Sequence, residues 1–128
     1  MSAPLKFLIV DDSVTMRRIV ANTLKNLQYN DFVEAGDGKE ALAKLQADPS
    51  LNFVITDWNM PVMTGLELTK AIREDPKLAK LPILMVTTRG VKEDIVEALQ
   101  AKVNNYVIKP FTPQILKEKI DQILANLQ

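Results

Sequence analysis

The chain has 128 residues, 16 Lys and Arg against 16 Asp and Glu, 47% apolar residues, and neither His nor Cys. This length suits a single domain. The two absent residue types exclude Ser-His-Asp or Cys-His catalysis, zinc sites built on His or Cys, thiol redox chemistry and disulfides. Any bound metal must be held by oxygen ligands, which favours Mg²⁺, Ca²⁺ or Mn²⁺.

Five short apolar runs alternate with amphipathic stretches along the chain. They are rich in Val, Ile, Leu and Phe and bounded by polar residues, so we predict that they are buried β-strands. In chain order they are Lys6–Val10, Asp31–Ala35, Asn52–Ile55, Ile83–Val86 and Tyr106–Ile108.

The stretches between these runs predict helices. Ser13 is a candidate N-cap for the first, and Thr112 for the last, which has Pro113 at its first helical position. The three helices between them are predicted over Gly38–Gln46, Gly65–Glu74 and Lys92–Ala101. The predicted apolar faces of the last two helices consist of Ile95, Val96 and Leu99, and of Leu116, Ile120, Ile123 and Leu127.

The alternation of strand and helix predicts an α/β fold, a single domain over residues 1–128 with a doubly wound, five-stranded parallel sheet. Five βα units are too few for a (β/α)₈ barrel, and we expect no output domain. No apolar stretch approaches the ~20 residues of a membrane helix, and no signal-peptide core is present. We therefore expect a cytoplasmic protein without membrane insertion, and we separately expect a monomer. The balanced charge argues against nucleic-acid binding.

Polar side chains follow four of the five predicted strands. Asp11 and Asp12 follow the first, Asp57 follows the third, Thr87 ends the fourth, and Lys109 follows the fifth. In open α/β sheets the carboxyl ends of the strands form the ligand site. A lone acid after a strand is often only a helix cap, but three acids, a hydroxyl and an ammonium at one edge predict a functional site.

The charges of these groups indicate the chemistry of the predicted site. Three neighbouring carboxylates repel one another, and a divalent cation with oxygen ligands, such as Mg²⁺, relieves the repulsion. With Lys109 and Mg²⁺ the formal charge becomes zero, which leaves the site able to accept a dianionic phosphoryl group. Because the chain has no His or Cys, the candidate nucleophile is a carboxylate.

Four motifs resemble the receiver domain of bacterial two-component response regulators over essentially the whole chain. Within that family, the segment after the third strand, Tyr106, Lys92 and Lys119 are similar to the single-domain chemotaxis regulators. The resemblance implies a (βα)₅ flavodoxin-like fold with strand order 2-1-3-4-5. The motifs are Asp11-Asp12, Asp57-Trp58-Asn59-Met60-Pro61, Val86-Thr87-Thr88 and Lys109-Pro110-Phe111.

The same resemblance implies a phospho-acceptor site. Asp57 would accept the phosphoryl group, and Lys109 would pair with Asp57 or with that group. Mg²⁺, with Mn²⁺ as a possible substitute, would be held by the carboxylates of Asp12 and Asp57 and the backbone carbonyl of Asn59, and by Asp11 through water. A cis peptide bond is expected between Lys109 and Pro110.

The resemblance also implies a switch and a partner surface. Thr87 would hydrogen-bond a phosphoryl oxygen, and Tyr106 would swing inward behind it, while Asn59 and Arg89 would tune the lifetime of the phosphoryl group. The implied partners are a chemotaxis-type histidine kinase, a phosphatase and a flagellar motor switch protein. The chain would be no enzyme beyond self-directed phosphotransfer and autodephosphorylation. The implied partner surface contains Lys92, Tyr106, Ile108, Phe111, Thr112 and Lys119.

Four residues depart from the family pattern. Thr64 stands where an acid is common, and Arg89 stands where the chemotaxis relatives often have an acid. Lys102 and Asn105 occupy the loop before the fifth strand, where the chemotaxis type usually has Gly. Asn tolerates a positive φ and Lys does so poorly, so these departures bear on the loop geometry and on the nearby partner surface.

Other functions remain as alternatives. Gly36-Asp37-Gly38-Lys39-Glu40-Ala41 fits the G-x-G-x-x-A pattern of dinucleotide-binding proteins, with Asp57 at about the right distance. The pattern follows the second strand and not the first. A dinucleotide-binding function would also leave four residues without a role: Asp11, Asp12, Thr87 and Lys109. The chain could instead be an isolated receiver or phosphate sink of another two-component pathway, or a degenerate receiver that only binds partners.

Overall fold

The computed structural model describes residues 4–127 as five strands that alternate with five helices. Every boundary predicted above lies within one residue of the observed one. The elements are β1 Phe7–Val10, α1 Val14–Asn26, β2 Phe32–Ala35, α2 Gly38–Ala47, β3 Phe53–Thr56, α3 Gly65–Glu74, β4 Ile83–Thr87, α4 Lys92–Gln100, β5 Asn105–Ile108 and α5 Pro113–Asn126. Each helix in the described residues is too short or too polar to cross a membrane.

All strand pairs are parallel, and the strands lie in the order β2-β1-β3-β4-β5, which confirms the predicted topology. The register aligns the strand ends, because Val10 of β1 pairs with both Ala35 and Thr56. At the other side of the sheet Thr87 pairs with Ile108. The residues that follow the strands therefore meet at one edge.

Two hydrophobic layers cover the two faces of the sheet. Because side chains alternate along a strand, Leu8 and Val10 of β1 pack into one layer, and Phe7 and Ile9 pack into the other. The first layer includes side chains of α2, α3 and α4, and the second includes side chains of α1 and α5. Helices on both faces are the doubly wound arrangement that the sequence predicted.

The prediction that the apolar faces of the last two helices are buried is wrong for three residues. Val96 is 40% exposed and Leu99 is 48% exposed, and the buried residue of α4 is Ala98. The helix packs on the sheet through this small side chain and through the half-buried Ile95, so Val96 and Leu99 remain exposed. Leu127 is 50% exposed because it lies just beyond the last residue of α5.

Lys102, and not Asn105, adopts the left-handed backbone in the loop before β5, with a φ of 77°. This conformation costs a non-glycine residue about 1 kcal/mol. Arg73 of α3 holds the loop, since its Nε and Nη2 both donate to the Lys102 carbonyl, at 3.0 and 2.7 Å. Its Nη1 donates to the Leu81 carbonyl, and so the same side chain joins the loops before β4 and β5.

The start of α3 lies against the backbone that carries the end of β3. Thr64 caps the helix and forms a capping box with Glu67, so this departure from the family pattern has a local structural role. The amide of Gly65 donates to the Trp58 carbonyl at 2.9 Å. A Cβ atom on Gly65 would overlap the backbone oxygen of Asp57, and no side chain fits there without moving this backbone.

We predict that Gly65→Ala lowers the free energy of unfolding by about 3 kcal/mol in a urea titration, because the added methyl group meets backbone and not a movable side chain. The matched control is Gly36→Ala, whose new Cβ would lie 3.5 Å from Glu40 Oε1, an ordinary contact. The control should change stability by less than about 0.5 kcal/mol. Equal stability of the two variants would contradict the close approach of α3 to the Asp57 backbone.

Candidate functional site

Three carboxylates meet at the carboxyl edge of the sheet. Asp11 and Asp57 each continue the ladder by one hydrogen bond, from Asp11 N to the Ala35 carbonyl at 3.1 Å and from Asp57 N to the Val10 carbonyl at 2.9 Å. Asp12 follows directly. One carboxylate oxygen from each of the three residues lies within 4.8 Å of the others. The structure therefore confirms the predicted clustering of these three acids.

The Lys109 ammonium lies between two of these acids. Its Nζ is 2.8 Å from Asp11 Oδ2 and 3.3 Å from Asp57 Oδ2, and all three side chains are nearly buried. Attraction between charges is stronger there than in water, and removal of one partner would leave an uncompensated buried charge. The resemblance implied the ion pair of Lys109 with Asp57. The shorter ion pair of Lys109 with Asp11 was not expected from the sequence. The Lys109–Pro110 peptide bond is cis, as expected.

Backbone amides hold the other oxygens of the two buried acids. Asp57 Oδ1 accepts a hydrogen bond from the amide of Trp58 at 2.6 Å, and Asp11 Oδ1 accepts one from the amide of Ser13 at 2.9 Å. Ser13 is also the N-cap of α1, as predicted, since its side chain accepts from the Met16 amide. Both carboxylates are therefore fixed in direction before any ligand arrives.

The donor set fits a hard divalent cation. Three carboxylates and one ammonium leave a net negative charge, and all the offered ligand atoms are oxygens. Asp12 is exposed. The resemblance also implies the backbone carbonyl of Asn59 as a ligand of the ion, and Asn59 lies at the surface two residues after Asp57. Asp11, Asp12 and Asp57 could hold such an ion together, because their oxygens are already close.

Thr87 and Tyr106 are both buried beside this cluster. Thr87 is the last residue of β4 and has no exposed surface, and its Oγ1 accepts from the Arg89 amide at 3.3 Å. Tyr106 of β5 is 9% exposed, and its hydroxyl donates to the Arg89 carbonyl at 2.7 Å. The ring of Tyr106 lies inside the molecule in this structure, and its movement on phosphorylation stays a prediction.

The buried Tyr106 hydroxyl stays a hydrogen-bond donor over the ordinary pH range. Burial, together with the negative charge of Asp94, raises the pKa of Tyr106 to about 12. Its contact with the Arg89 carbonyl needs the protonated form, because a carbonyl oxygen can only accept. The link between Tyr106 and the loop after β4 therefore does not depend on pH near neutrality.

The Arg89 side chain covers the loop next to Asp57. Its guanidinium lies over the Trp58 ring, 4.5 Å from the ring centre, and its Nε donates to Asn59 Oδ1 at 3.0 Å. Its Nη1 is 3.4 Å from Asp94 Oδ2 of α4. The sequence marks Arg89 as a departure from the family, but these contacts join residues up to 31 positions apart and have no local signal.

The residues of the implied partner surface differ in exposure. Lys92 and Thr112 are exposed, and Ile108 is 45% exposed, whereas Phe111 is half-buried against the core layer of α1 and α5. Thr112 also caps α5, since its side chain accepts from the Ile115 amide. Tyr106 is buried and Lys119 is half-buried. These residues lie on α4, on the edge strand β5 and on α5 or just before it.

The dinucleotide-like pattern has a structural explanation. Asp37 caps α2 through the Glu40 amide, and the Gly38 amide donates to the Met63 carbonyl at 3.2 Å. A Cβ atom on Gly38 would lie 2.7 Å from that carbonyl oxygen. The backbone amides of Gly38 and Glu40 at this helix start, which a pyrophosphate would need, already donate hydrogen bonds within the protein. Gly38 allows the start of α2 to pack closely against the loop before α3.

Comparisons with known proteins agree with this geometry. Residues 7–121 match the response regulator receiver domain family. The chemotaxis protein CheY1 of Helicobacter pylori is 53% identical over 122 residues, which are 95% of this chain and 98% of that protein. The chemotaxis protein CheY of Pseudomonas aeruginosa is 52% identical over 96% of this chain and 98% of its own length.

Solved structures are similar over nearly the whole chain. The chemotaxis protein CheY4 of Vibrio cholerae has a TM-score of 0.86 at 39% identity, covering 94% of this chain and 99% of that one. A putative response regulator of Chloroflexus aurantiacus has a TM-score of 0.89 at 34% identity, with 95% and 98% coverage. The sheet order, the acid cluster beside a lysine and these matches place the chain in the response regulator receiver domain family.

Proposed function

We propose that this chain is a response regulator of chemotaxis that accepts a phosphoryl group on Asp57 from a histidine kinase, in a Mg²⁺-dependent reaction, and then changes its affinity for a partner. The observation that carries the proposal is the meeting of Asp11, Asp12 and Asp57 within 4.8 Å, with Lys109 between two of them. The similar chemotaxis proteins support the pathway.

Asp57 is the best placed of the three acids to be the acceptor. It follows β3, the central strand, and so lies between Asp11 on one neighbouring strand and Thr87 on the other. Lys109 is 3.3 Å from Asp57 but 2.8 Å from Asp11, and the looser contact leaves Asp57 easier to modify. A phosphoryl group on Asp57 would have the ammonium and the Thr87 hydroxyl as its neighbours.

In the proposed reaction a carboxylate oxygen of Asp57 attacks the phosphorus of a phosphohistidine on the kinase. The new O–P bond forms as the P–N bond breaks in line, and the imidazole leaves with the partner. Lys109 compensates charge on the phosphoryl oxygens, and the cluster positions Asp57 before reaction. When bound to Asp11, Asp12 and Asp57, Mg²⁺ would neutralise phosphoryl oxygens in the same way. Water later hydrolyses the acyl phosphate, so the chain is a phospho-acceptor and not a classical enzyme.

We predict that Asp57→Asn abolishes labelling by radioactive acetyl phosphate in the presence of Mg²⁺, because an amide is a far weaker nucleophile than a carboxylate. Chelation of Mg²⁺ should abolish labelling of the unaltered protein as well. The matched control is Asp37→Asn, since Asp37 follows β2 at the same sheet edge and Asn is an equally good N-cap. Persistent labelling of Asp57→Asn, or loss in the control, would contradict the acceptor assignment.

The proposed switch passes through the backbone of Arg89. Its amide donates to Thr87 Oγ1, and its carbonyl accepts from the Tyr106 hydroxyl, so one residue joins the two switch side chains. If the Thr87 hydroxyl turns toward a phosphoryl oxygen, the Arg89 backbone loses one tether and shifts the balance of Tyr106 positions. A shift from 1:99 to 99:1 needs about 5.5 kcal/mol. A few charge-assisted hydrogen bonds of roughly 1.5–3 kcal/mol each are sufficient.

The proposed partner surface adjoins this switch. It consists of Lys92 at the start of α4, Tyr106 and Ile108 of β5, and Phe111, Thr112 and Lys119 on or before α5. The exposed Ile108 and the exposed Lys92 combine apolar area with positive charge, which suits an acidic, partly apolar segment of a flagellar motor switch protein. The cytoplasm is the proposed location.

We predict that Thr87→Ala is still labelled by acetyl phosphate but no longer couples labelling to partner binding. Beryllofluoride, a phosphoryl mimic, should raise the affinity of the unaltered protein for the motor switch protein by about tenfold. In Thr87→Ala, beryllofluoride should raise this affinity by less than about threefold. Thr88→Ala, the neighbouring exposed threonine, is the control and should behave as the unaltered protein. Full activation of Thr87→Ala would contradict its coupling role.

Asn59 and Arg89 are proposed to set the lifetime of the acyl phosphate. The guanidinium covers the Trp58 ring and binds the Asn59 side chain, and so it occupies space beside Asp57 through which water would approach. Hydrolysis needs a water in line with the bond to the Asp57 oxygen, and a covered approach slows this step.

We predict that Arg89→Ala shortens the half-life of the phosphorylated protein by about threefold in a single-turnover decay assay, because it opens this approach. Arg18→Ala removes an equal charge from the surface of α1 and should leave the half-life unchanged. An unchanged or longer half-life for Arg89→Ala would contradict the covering role.

A further inference from the structure

Arg17 makes a contact with the site that the sequence does not suggest. It is the fourth residue of α1, and its side chain reaches back past the helix start. Its Nη1 donates to the backbone carbonyl of Asp11 at 2.6 Å. The side chain is 17% exposed, so most of it is withdrawn from solvent beside the site.

The other end of the guanidinium is held by the edge strand. Arg17 Nε donates to Glu34 Oε1 at 3.0 Å, and Glu34 belongs to β2, where it pairs with Ile9 of β1. Lys44 of α2 in turn donates to the Glu34 carbonyl. The planar guanidinium therefore ties the turn between β1 and α1 to a neighbouring strand, in the forked geometry that Arg offers and Lys does not.

The group that Arg17 holds is the peptide unit between Asp11 and Asp12. The Asp11 carboxylate is already fixed by the Ser13 amide and by Lys109. The Asp12 carboxylate is exposed, so its direction depends chiefly on the backbone that carries it. The Asp11 amide donates to β2 and the Asp11 carbonyl accepts from Arg17, and these two bonds set the orientation of the Asp12 backbone.

We propose that Arg17 is a positioning residue for the Asp11–Asp12 pair, and that it raises the affinity of the site for Mg²⁺ although its own charge is positive. The inference rests on the proposed phospho-acceptor function. Mg²⁺ requires near-octahedral geometry, so the direction of a ligand carboxylate matters to its affinity. Residues that orient ligands through hydrogen bonds typically contribute 10–100-fold to metal affinity.

The sign of the effect separates positioning from simple charge. If Arg17 acted only through its charge, its removal would reduce repulsion of the cation and strengthen Mg²⁺ binding. If it positions the acid pair, its removal weakens binding. Glu34 already lies 3.0 Å from the guanidinium and compensates its charge, which makes the charge effect small.

The test is a Mg²⁺ titration followed by the fluorescence of Trp58, the single Trp of the chain, whose amide donates to Asp57. Arg17→Ala should raise the apparent dissociation constant by about tenfold. Arg17→Lys keeps the charge but can reach only one acceptor at a time. Its dissociation constant for Mg²⁺ should lie between those of the unaltered protein and of Arg17→Ala. Arg18→Ala removes the adjacent exposed arginine and should bind as the unaltered protein. If Arg17→Ala does not fold, the Arg17→Lys result decides.

A second readout needs no metal. Hydrogen exchange of the Ser13 amide, which donates to Asp11, should accelerate in metal-free Arg17→Ala, while amides in the middle of α5 stay unchanged. Unchanged exchange at Ser13, or Mg²⁺ binding by Arg17→Ala that is equal or tighter, would overturn the inference and leave the proposed function intact. Absence of any Mg²⁺ response in the unaltered protein would instead contradict the proposed function.

Discussion

The ammonium of Lys109, held between Asp11 and Asp57, is the interaction on which the rest of the site depends. Two nearly buried carboxylates and a third beside them would repel one another strongly without it. Asp11 follows β1, Asp57 follows β3 and Lys109 follows β5, and these strands are not consecutive in the sequence. The contact therefore requires a parallel sheet whose strands end at the same level, and the strand register supplies that alignment.

The same constraint explains several features away from the charges. Asp57 can lie in the cluster only if the backbone after β3 stays in place, and α3 packs against that backbone where Gly65 leaves no Cβ. On the other side, Thr87 and Tyr106 lie on β4 and β5, so a change at Asp57 can reach the edge of the sheet through two adjacent strands. Arg89 joins both strands to the loop that follows Asp57. The site and the proposed partner surface are thus built from the same short segments.

Much of this arrangement could be predicted from the sequence, and the failures have physical reasons. Strands and helices are local patterns of apolar residues, and the acids after strands follow from the topology. The left-handed backbone at Lys102 could not be predicted, because Arg73, 29 residues away, holds that loop. The partner of the Tyr106 hydroxyl could not be predicted either, because the Arg89 carbonyl that accepts from it is 17 residues away. Contacts of this kind arise only after the chain has folded and leave no periodic signal.

The central claim is that a phosphoryl group is transferred to Asp57 and to no other acid of the cluster. Treatment with acetyl phosphate and Mg²⁺, followed by borohydride, reduces an acyl phosphate to an alcohol that peptide mass spectrometry assigns to one residue. The account predicts homoserine at position 57 alone, and none without Mg²⁺. Homoserine at position 11 or 12, or equal conversion without the metal, would contradict it.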